Sequence, residues 1–218
     1  ARARARREAR EEAAQRLVRA LEKIGLSSSG GLLDRMRADT SMRERMGGLE
    51  DRFILASDRT GEGYVSVELA LPFFGDQGFM DLLADNRYGS DSPPQSDART
   101  YGDPMTGILI DVSEFPAFEP SLEPRVLSSQ GRMVYGTDIA MRGCAVRKGL
   151  AAFYATRESA RKDNRLGIAP YYVFAAGVSG GRKTDVFLDS EDVMRITGNE
   201  GGRRALSRCA VAFVSGRK

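Results

Sequence analysis

The sequence has no histidine, no tryptophan and only two cysteines in 218 residues. Histidine is the side chain whose ordinary pKa lies nearest neutrality and the commonest protein ligand for transition metals. Without it, Ser-His-Asp and Cys-His nucleophilic sites and histidine-based metal centres are excluded. Two cysteines alone cannot build a four-thiolate zinc site. No metal and no cofactor is expected, and acid–base chemistry would fall to carboxylates, lysine or tyrosine alone. The expectation is a protein that is not an enzyme. No run of 18 or more apolar residues occurs, so no segment reads as a membrane-spanning helix. The chain starts at Ala1 without Met, in an alternating Ala/Arg segment, which reads as a leader removed or left out.

What is present is charge, unevenly placed. The formal net charge is only +3, too small for a composition built to hold nucleic acid. Residues 1–50 carry 12 basic and 8 acidic side chains, residues 51–135 carry 6 and 14, and residues 136–218 carry 15 and 8. Basic, acidic and basic blocks in that order attract one another within a fold or between copies, and favour head-to-tail association at low salt. An unevenly charged, solvated surface is the plainer reading. Cys144 and Cys209 could join in an oxidising compartment, closing a loop of about 65 residues worth roughly 4 kcal/mol on the chain-entropy account. As free thiols they would be small core residues. Both readings stand at this point.

Apolar residues at Ala9, Ala13, Leu17, Leu21 and Ile24, flanked by Ala14 and Val18, recur every three or four positions and predict an amphipathic helix ending at Gly25. The Ser27–Gly31 run predicts a turn, Leu32–Arg37 a short helix, and Ser41 with Glu44 a capping box opening a third. The period then becomes two. Phe53–Ala56 and Tyr64–Leu71 predict a hairpin, with Val65, Val67, Leu69 and Leu71 on one face. A short helix is expected around Phe79–Leu83, and a loop or linker over Asn86–Pro104, which contains Pro93-Pro94.

Beyond that loop, strands are expected at Ile108–Val112, Met133–Tyr135, Leu150–Tyr154, Tyr171–Ala176, Thr184–Leu188 and Ala210–Val214. Helices are expected near Arg157–Lys162 and Ser190–Ile196. Ser128–Arg132 should turn Arg125–Leu127 back onto Met133–Tyr135 as a second hairpin. The fold class is α+β: a mixed, mainly antiparallel sheet with the N-terminal amphipathic helix and further helices packed on one face. Residues 1–85 would form a helical segment plus a β-hairpin subdomain, 86–105 a loop or linker, and 106–218 an α+β domain.

The Gly177–Thr184 run is glycine-rich, follows a strand and ends in Lys-Thr, like a phosphate-binding loop. It departs from that pattern because Arg182 separates Gly181 from Lys183 and because a strand follows instead of a helix. A hairpin turn is expected, with Arg182 and Lys183 as weak anion contacts. Asp111 with Glu114, and Asp189 with Glu191 and Asp192, could be read as paired carboxylates or oxygen ligands. Their places at a strand end and a helix start favour capping. The basic front of Arg2, Arg4, Arg6, Arg7 and Arg10 could meet a neighbouring copy, an anionic polymer or a lipid surface, or simply be solvated. No aromatic is interleaved among these arginines to stack on bases or anchor in a bilayer.

Several phrases, Thr106–Asp111, Leu122–Val126, Gly131–Gly136, Ala176–Val178 and Lys183–Val186, together resemble bacterial envelope proteins related to the twenty-kilodalton outer-membrane lipoprotein. That family takes in the flagellar assembly proteins P and T. The first half is similar as well, in its Ala/Arg helix, its Leu32–Arg35 helical segment and a hairpin ending in Leu69-Ala70-Leu71; Phe73–Met105 reads as an insertion. The resemblance implies export, a periplasmic or outer-membrane-associated location, small α/β domains and, in flagellar members, a ring or disk of many copies. It carries over no catalytic residue. The expectation is a non-enzymatic structural or assembly subunit of the envelope, a homo-oligomer in contact with other envelope proteins, with peripheral membrane contact and no nucleic acid. The alternative is a binding module for an anionic envelope polymer or membrane surface.

Overall fold

The computed structural model describes residues 2–85, 87–89 and 104–216. The chain divides into two units, Ala1–Ile24 with Gly31–Leu83 and Gly25–Gly30 with Ala84–Lys218. In order, the elements are α1 (Arg2–Glu22), β1 (Gly25–Ser27), β2 (Gly30–Gly31), α2 (Leu32–Ala38), α3 (Thr40–Gly47), β3 (Ile54–Gly61), β4 (Tyr64–Ala70) and α4 (Phe79–Leu83). There follow β5 (Gly107–Asp111), β6 (Arg125–Ser128), β7 (Met133–Tyr135), α5 (Arg142–Lys148), β8 (Ala151–Tyr154) and α6 (Arg157–Arg161). Last come β9 (Pro170–Phe174), β10 (Gly177–Ser179), β11 (Asp185–Leu188), α7 (Ser190–Gly198), α8 (Glu200–Ser207) and β12 (Val211–Val214). The architecture is α+β, with helices and mixed sheets.

In the first unit the alanine stripe of α1 is half-buried at Ala5, Ala9, Ala13 and Leu17 and fully buried only at Leu21. Its neighbour is the antiparallel hairpin β3–β4, whose Val65, Val67 and Leu69 alternate with exposed Ser66 and Glu68. Alanine brings helix and strand close together but removes little apolar area from water. The denser packing of this unit lies in α2–α4, where Leu32, Met42, Met46, Leu49, Phe79, Met80 and Leu83 are buried. The third helix is capped differently from expectation: Asp39, two residues before Ser41, is the N-cap, its Oδ1 accepting the Met42 N–H at 3.1 Å. The expected loop at Asn86–Pro104 lies mostly outside the described residues.

The second unit holds two four-stranded sheets. In the order β8-β12-β5-β9 every pairing is parallel; in β10-β11-β6-β7 the central pair is parallel and the outer two antiparallel. The wholly parallel sheet has a sequence cause. Ile108-Leu109-Ile110 and Val211–Val214 are continuous apolar runs, and all of these residues are buried. Strands covered on both faces read that way, whereas a one-sided antiparallel strand alternates. On one face Phe118, Phe153 and Phe213 cluster, with ring centroids 5.3–6.1 Å apart. On the other, Leu109, Ala212 and Val214 meet Ala160 and Leu166.

The expected second hairpin is present as β6–β7, and Gly177–Thr184 is the antiparallel β10–β11 connection. Asp189 is the N-cap of α7 without a side-chain cap bond; Glu191 and Asp192 fill the first turn, and Asp192 accepts the Tyr171 hydroxyl at 2.6 Å. Two helices had no counterpart in the sequence reading, α5 and α8.

Candidate functional site

The seven basic residues singled out from sequence fall into two sets. Arg2, Arg4, Arg6, Arg7 and Arg10 lie along α1 in the first unit, and Arg182 and Lys183 in the β10–β11 turn of the second. Three of the α1 arginines are engaged locally. Arg4 pairs with Glu8 at 2.7 Å, Arg7 with Glu11 at 3.8 Å, and Arg6 reaches across to Asp58 on β3 at 2.9 Å. Arg182 stands 3.7 Å from Glu119 and lies against Gly25. Lys183 has φ +52°, and its carbonyl accepts the Glu119 N–H at 3.3 Å. Its backbone therefore shapes the turn. Cys144 and Cys209 are both buried free thiols in this structure. Burial pushes the Cys209 thiol up to about 11, which leaves it without nucleophilic character near neutrality.

The helix–hairpin layer of the first unit is incomplete on its own terms. β3 and β4 form a two-stranded sheet, with no third strand among the described residues. A cleft of about 290 Å³ opens between Ala9, Ala13 and Arg16 on α1 and Val65 and Val67 on β4. Another of about 260 Å³ opens between Arg2 and Ala5 and the hairpin tip at Gly61–Tyr64. Ile54 and Tyr64 are 54% and 59% exposed. A two-stranded hairpin is marginal by itself, and open strand edges are templates for pairing.

The second unit carries a cationic cleft of about 370 Å³ that the sequence reading missed. It lies where the parallel strands begin, lined by Met105 and Thr106 before β5, Lys148 before β8, Asn164 and Arg165 before β9, and Arg204 and Arg208 before β12. Close backbone approach sets its floor. A Cβ on Gly107 would meet Leu166 Cα at 2.6 Å, and one on Gly201 would meet the Met105 carbonyl oxygen at 2.5 Å. Thr106 fastens the same place, donating to the Leu166 carbonyl at 2.7 Å and accepting from the Ala169 N–H at 2.9 Å.

Arg165 is held on two sides, by Asp163 at 2.8 Å and by the Lys148 carbonyl, which accepts from Nη2 at 2.7 Å. Its side chain is only 12% exposed, and Nη1 is buried with no hydrogen-bond partner among the described residues. Arg204 pairs with Glu200. Lys148 and Arg208 make no ion pair among the described residues. Burial, followed by the Arg165 charge, pushes the Lys148 ammonium below its ordinary value. Arg204 and Arg208 stand four apart, one turn of helix; that spacing was the signal available in the sequence.

The opposite end of the parallel sheet is acidic and aromatic. Asp111, at the end of β5, accepts the Ser113 N–H at 2.9 Å and the Tyr172 hydroxyl, and Arg157 lies 3.7 Å over the Tyr172 ring. Burial alone would raise the Asp111 carboxyl, but the bonds from Ser113 and Tyr172 and the Arg157 charge outweigh it and hold the group below the usual carboxylate range. Tyr154 similarly donates to Asp163 at 2.8 Å. Burial and then these carboxylate partners push both tyrosines up to about 12. These are structural pairs. Among the described residues no group of three Cys, Asp or Glu side chains is placed to hold a metal ion, and no helix is long and apolar enough to cross a membrane.

Set against protein families, residues 107–217 match the second domain of Treponema pallidum Tp0624. No curated protein matches the chain. The matched stretch begins with β5 and runs past β12, so it takes in both four-stranded sheets and every wall of the cationic cleft except Met105 and Thr106. That is half of the chain, and the chain belongs to the family of the Tp0624 second domain.

Proposed function

We propose that this protein is a non-enzymatic structural subunit of an assembly in the bacterial periplasm or outer envelope, and that its copies join through the helix–hairpin layer. The observation that carries the reading is the unfinished state of that layer: a two-stranded sheet under a thinly buried alanine helix, with open clefts between them. A second copy supplies what is missing, by strand pairing at the hairpin edge and by apolar contact at Ile54 and Tyr64. Self-complementary pairing of this kind closes into symmetric oligomers. The basic and acidic blocks of sequence bring copies together by charge. The envelope location follows from the family resemblance of Thr106–Asp111 and the phrases after it. The alternative, an anionic polymer or membrane held by Arg2–Arg10, has less support, because Arg4, Arg6 and Arg7 already face Glu8, Asp58 and Glu11.

Light scattering on the purified chain at low and high salt tests this. The expected result is a defined particle of several copies that shrinks as salt rises, and that the double variant Ile54→Lys/Tyr64→Lys reduces to a monomer without loss of fold. A wild-type monomer at every concentration and salt would sink the reading.

A further inference from the structure

The cationic cleft at the start of the parallel strands has no part in that assembly layer, and its chemistry is incomplete. Among the described residues four cations line it and two carboxylates answer them, Asp163 for Arg165 and Glu200 for Arg204. An excess of two positive charges remains, with Lys148 and Arg208 unpaired among the described residues. A surplus of that size on an open surface would be ordinary. Here one member is a guanidinium only 12% exposed, with Nη1 shielded from water and lacking an acceptor. A buried charged donor is costly to leave unpaired, and Arg165 holds its charge at the wall of the cleft.

We propose that the cleft binds a phosphate monoester, its dianionic phosphoryl group seated among Lys148, Arg165, Arg204 and Arg208. Charge selects the ligand: a dianion neutralises the surplus of two, whereas a single carboxylate leaves one cation unanswered. Geometry agrees. A tetrahedral group with three terminal oxygens can accept from donors on several walls at once, and guanidinium forks are matched to phosphate. Volume agrees too. About 370 Å³ lies within the roughly 300–1,000 Å³ typical of small-molecule sites, leaving room for the group the phosphate esterifies. The Asn164 amide lines the same space and makes no hydrogen bond among the described residues, so it is available to that group. Arg165 is already set in direction by Asp163 and by the Lys148 carbonyl, so little side-chain freedom is lost on binding.

The experiment is calorimetric titration of the full chain with inorganic phosphate and with glycerol 3-phosphate, at fixed ionic strength set with sodium chloride. Saturable binding of both is expected, accompanied by a rise in Tm. In Lys148→Gln/Arg208→Gln the affinity falls at least tenfold while the unliganded Tm is unchanged, because neither side chain has an ion-pair partner to lose among the described residues. Lys162→Gln, which removes one exposed charge from the same unit, binds as the wild type does. Co-sedimentation with phosphatidylcholine vesicles containing phosphatidic acid identifies the source. Vesicle binding that inorganic phosphate displaces supports a lipid head group; saturable phosphate binding without vesicle binding supports a soluble ester. The proposal fails if no saturable binding is seen, if chloride substitutes for phosphate, or if the double variant binds either phosphate or vesicles as the wild type does.

Discussion

The two units solve the problem of burying strands in opposite ways. In the second, β5 and β12 are covered on both faces, by three clustered phenylalanines on one side and by Ala160 and Leu166 on the other. In the first, the hairpin β3–β4 meets one helix whose contacting residues are mostly alanines, and clefts remain between them. A sheet buried on both sides has little reason to bind another copy through its faces. A hairpin covered on one side, with no third strand among the described residues, is where the proposed pairing of copies would act. The difference separates a region that secures the fold from a region available for contact.

The comparison breaks if the parallel sheet proves as tolerant as the hairpin. Phe213 is fully buried and stacked on Phe153, with centroids 5.3 Å apart and planes 11° from parallel. Phe213→Ala is expected to cost about 3–5 kcal/mol, the range for large-to-small changes in a packed core, and urea denaturation followed by far-UV circular dichroism would measure it. Next comes the Arg125–Asp185 pair, which ties the first residues of β6 and β11. Arg125 Nε donates to Asp185 Oδ1 at 2.9 Å, and Nη2 donates to the other oxygen and to Ser28 Oγ at 2.6 Å. The Asp185 side chain is only 3% exposed while Arg125 is 42% exposed. Asp185→Asn keeps the shape and removes the charge, and should cost about 1–3 kcal/mol. Thermal unfolding of that variant against Arg125→Ala would show how much belongs to the pair.

Those same residues show what the sequence made legible. Arg125 and Asp185 sit in two separate phrases of the family resemblance, and the fold brings them together as a bidentate ion pair. Gly131–Gly136 takes in the tip of the β6–β7 hairpin and β7 itself. At these places the phrases mark scaffold, and the α+β class came from the mixture of strand and helix patterns along the chain. Turn chemistry and period were enough for the helix α1, the hairpin β3–β4 and the β10–β11 connection. Parallel pairing was harder to read, because Ile108-Leu109-Ile110 declares a buried strand without naming its neighbour. The helix α8 was hidden by Gly201-Gly202 at its start, poor helix formers that here permit close contact with Met105 and Ile196. Its end was hidden as well. The Cys209 N–H bonds to the Leu206 carbonyl and the Ala210 N–H to that of Ala205, a Schellman stop with Cys209 at φ +54° where glycine is the usual signal. Spacing could show only one side of the cationic cleft, Arg204 with Arg208, since Lys148 and Arg165 come from separate segments.

A smaller effect sharpens the contrast from the other side. Val65 lies on the α1-facing side of β4, beside the gaps that line it. Val65→Ala should cost less than about 1 kcal/mol, because a loosely filled site loses few contacts and has room to collapse. Hydrogen exchange should show the same ordering without mutation, with amides of β3 and β4 exchanging faster than those of β5 and β12. Equal protection in the two regions would remove the distinction between secured and available strands.

The smallest expected effect is a pH dependence confined to the second unit. Tyr172 and Asp111 form one hydrogen-bonded pair at the end of the parallel sheet, and their pKa values move apart. The tyrosine is raised from 10.0 to about 12, by burial and then by the carboxylate it serves. Its contribution to stability is therefore complete below pH 10 and is lost as the pH climbs through 12. Asp111 is held below 3.8, so its contribution is present above that value and disappears as the solution is acidified through the folded pKa. The pair thus stabilises the sheet between about pH 4 and pH 10. Tyr172→Phe removes the hydroxyl and keeps the ring under Arg157. Unfolding of this variant should be less sensitive to pH between 10 and 12 than that of the wild type, and shifted at acid pH because Asp111 has lost a donor. Identical pH profiles for the two proteins would show that water serves Asp111 as well as Tyr172 does.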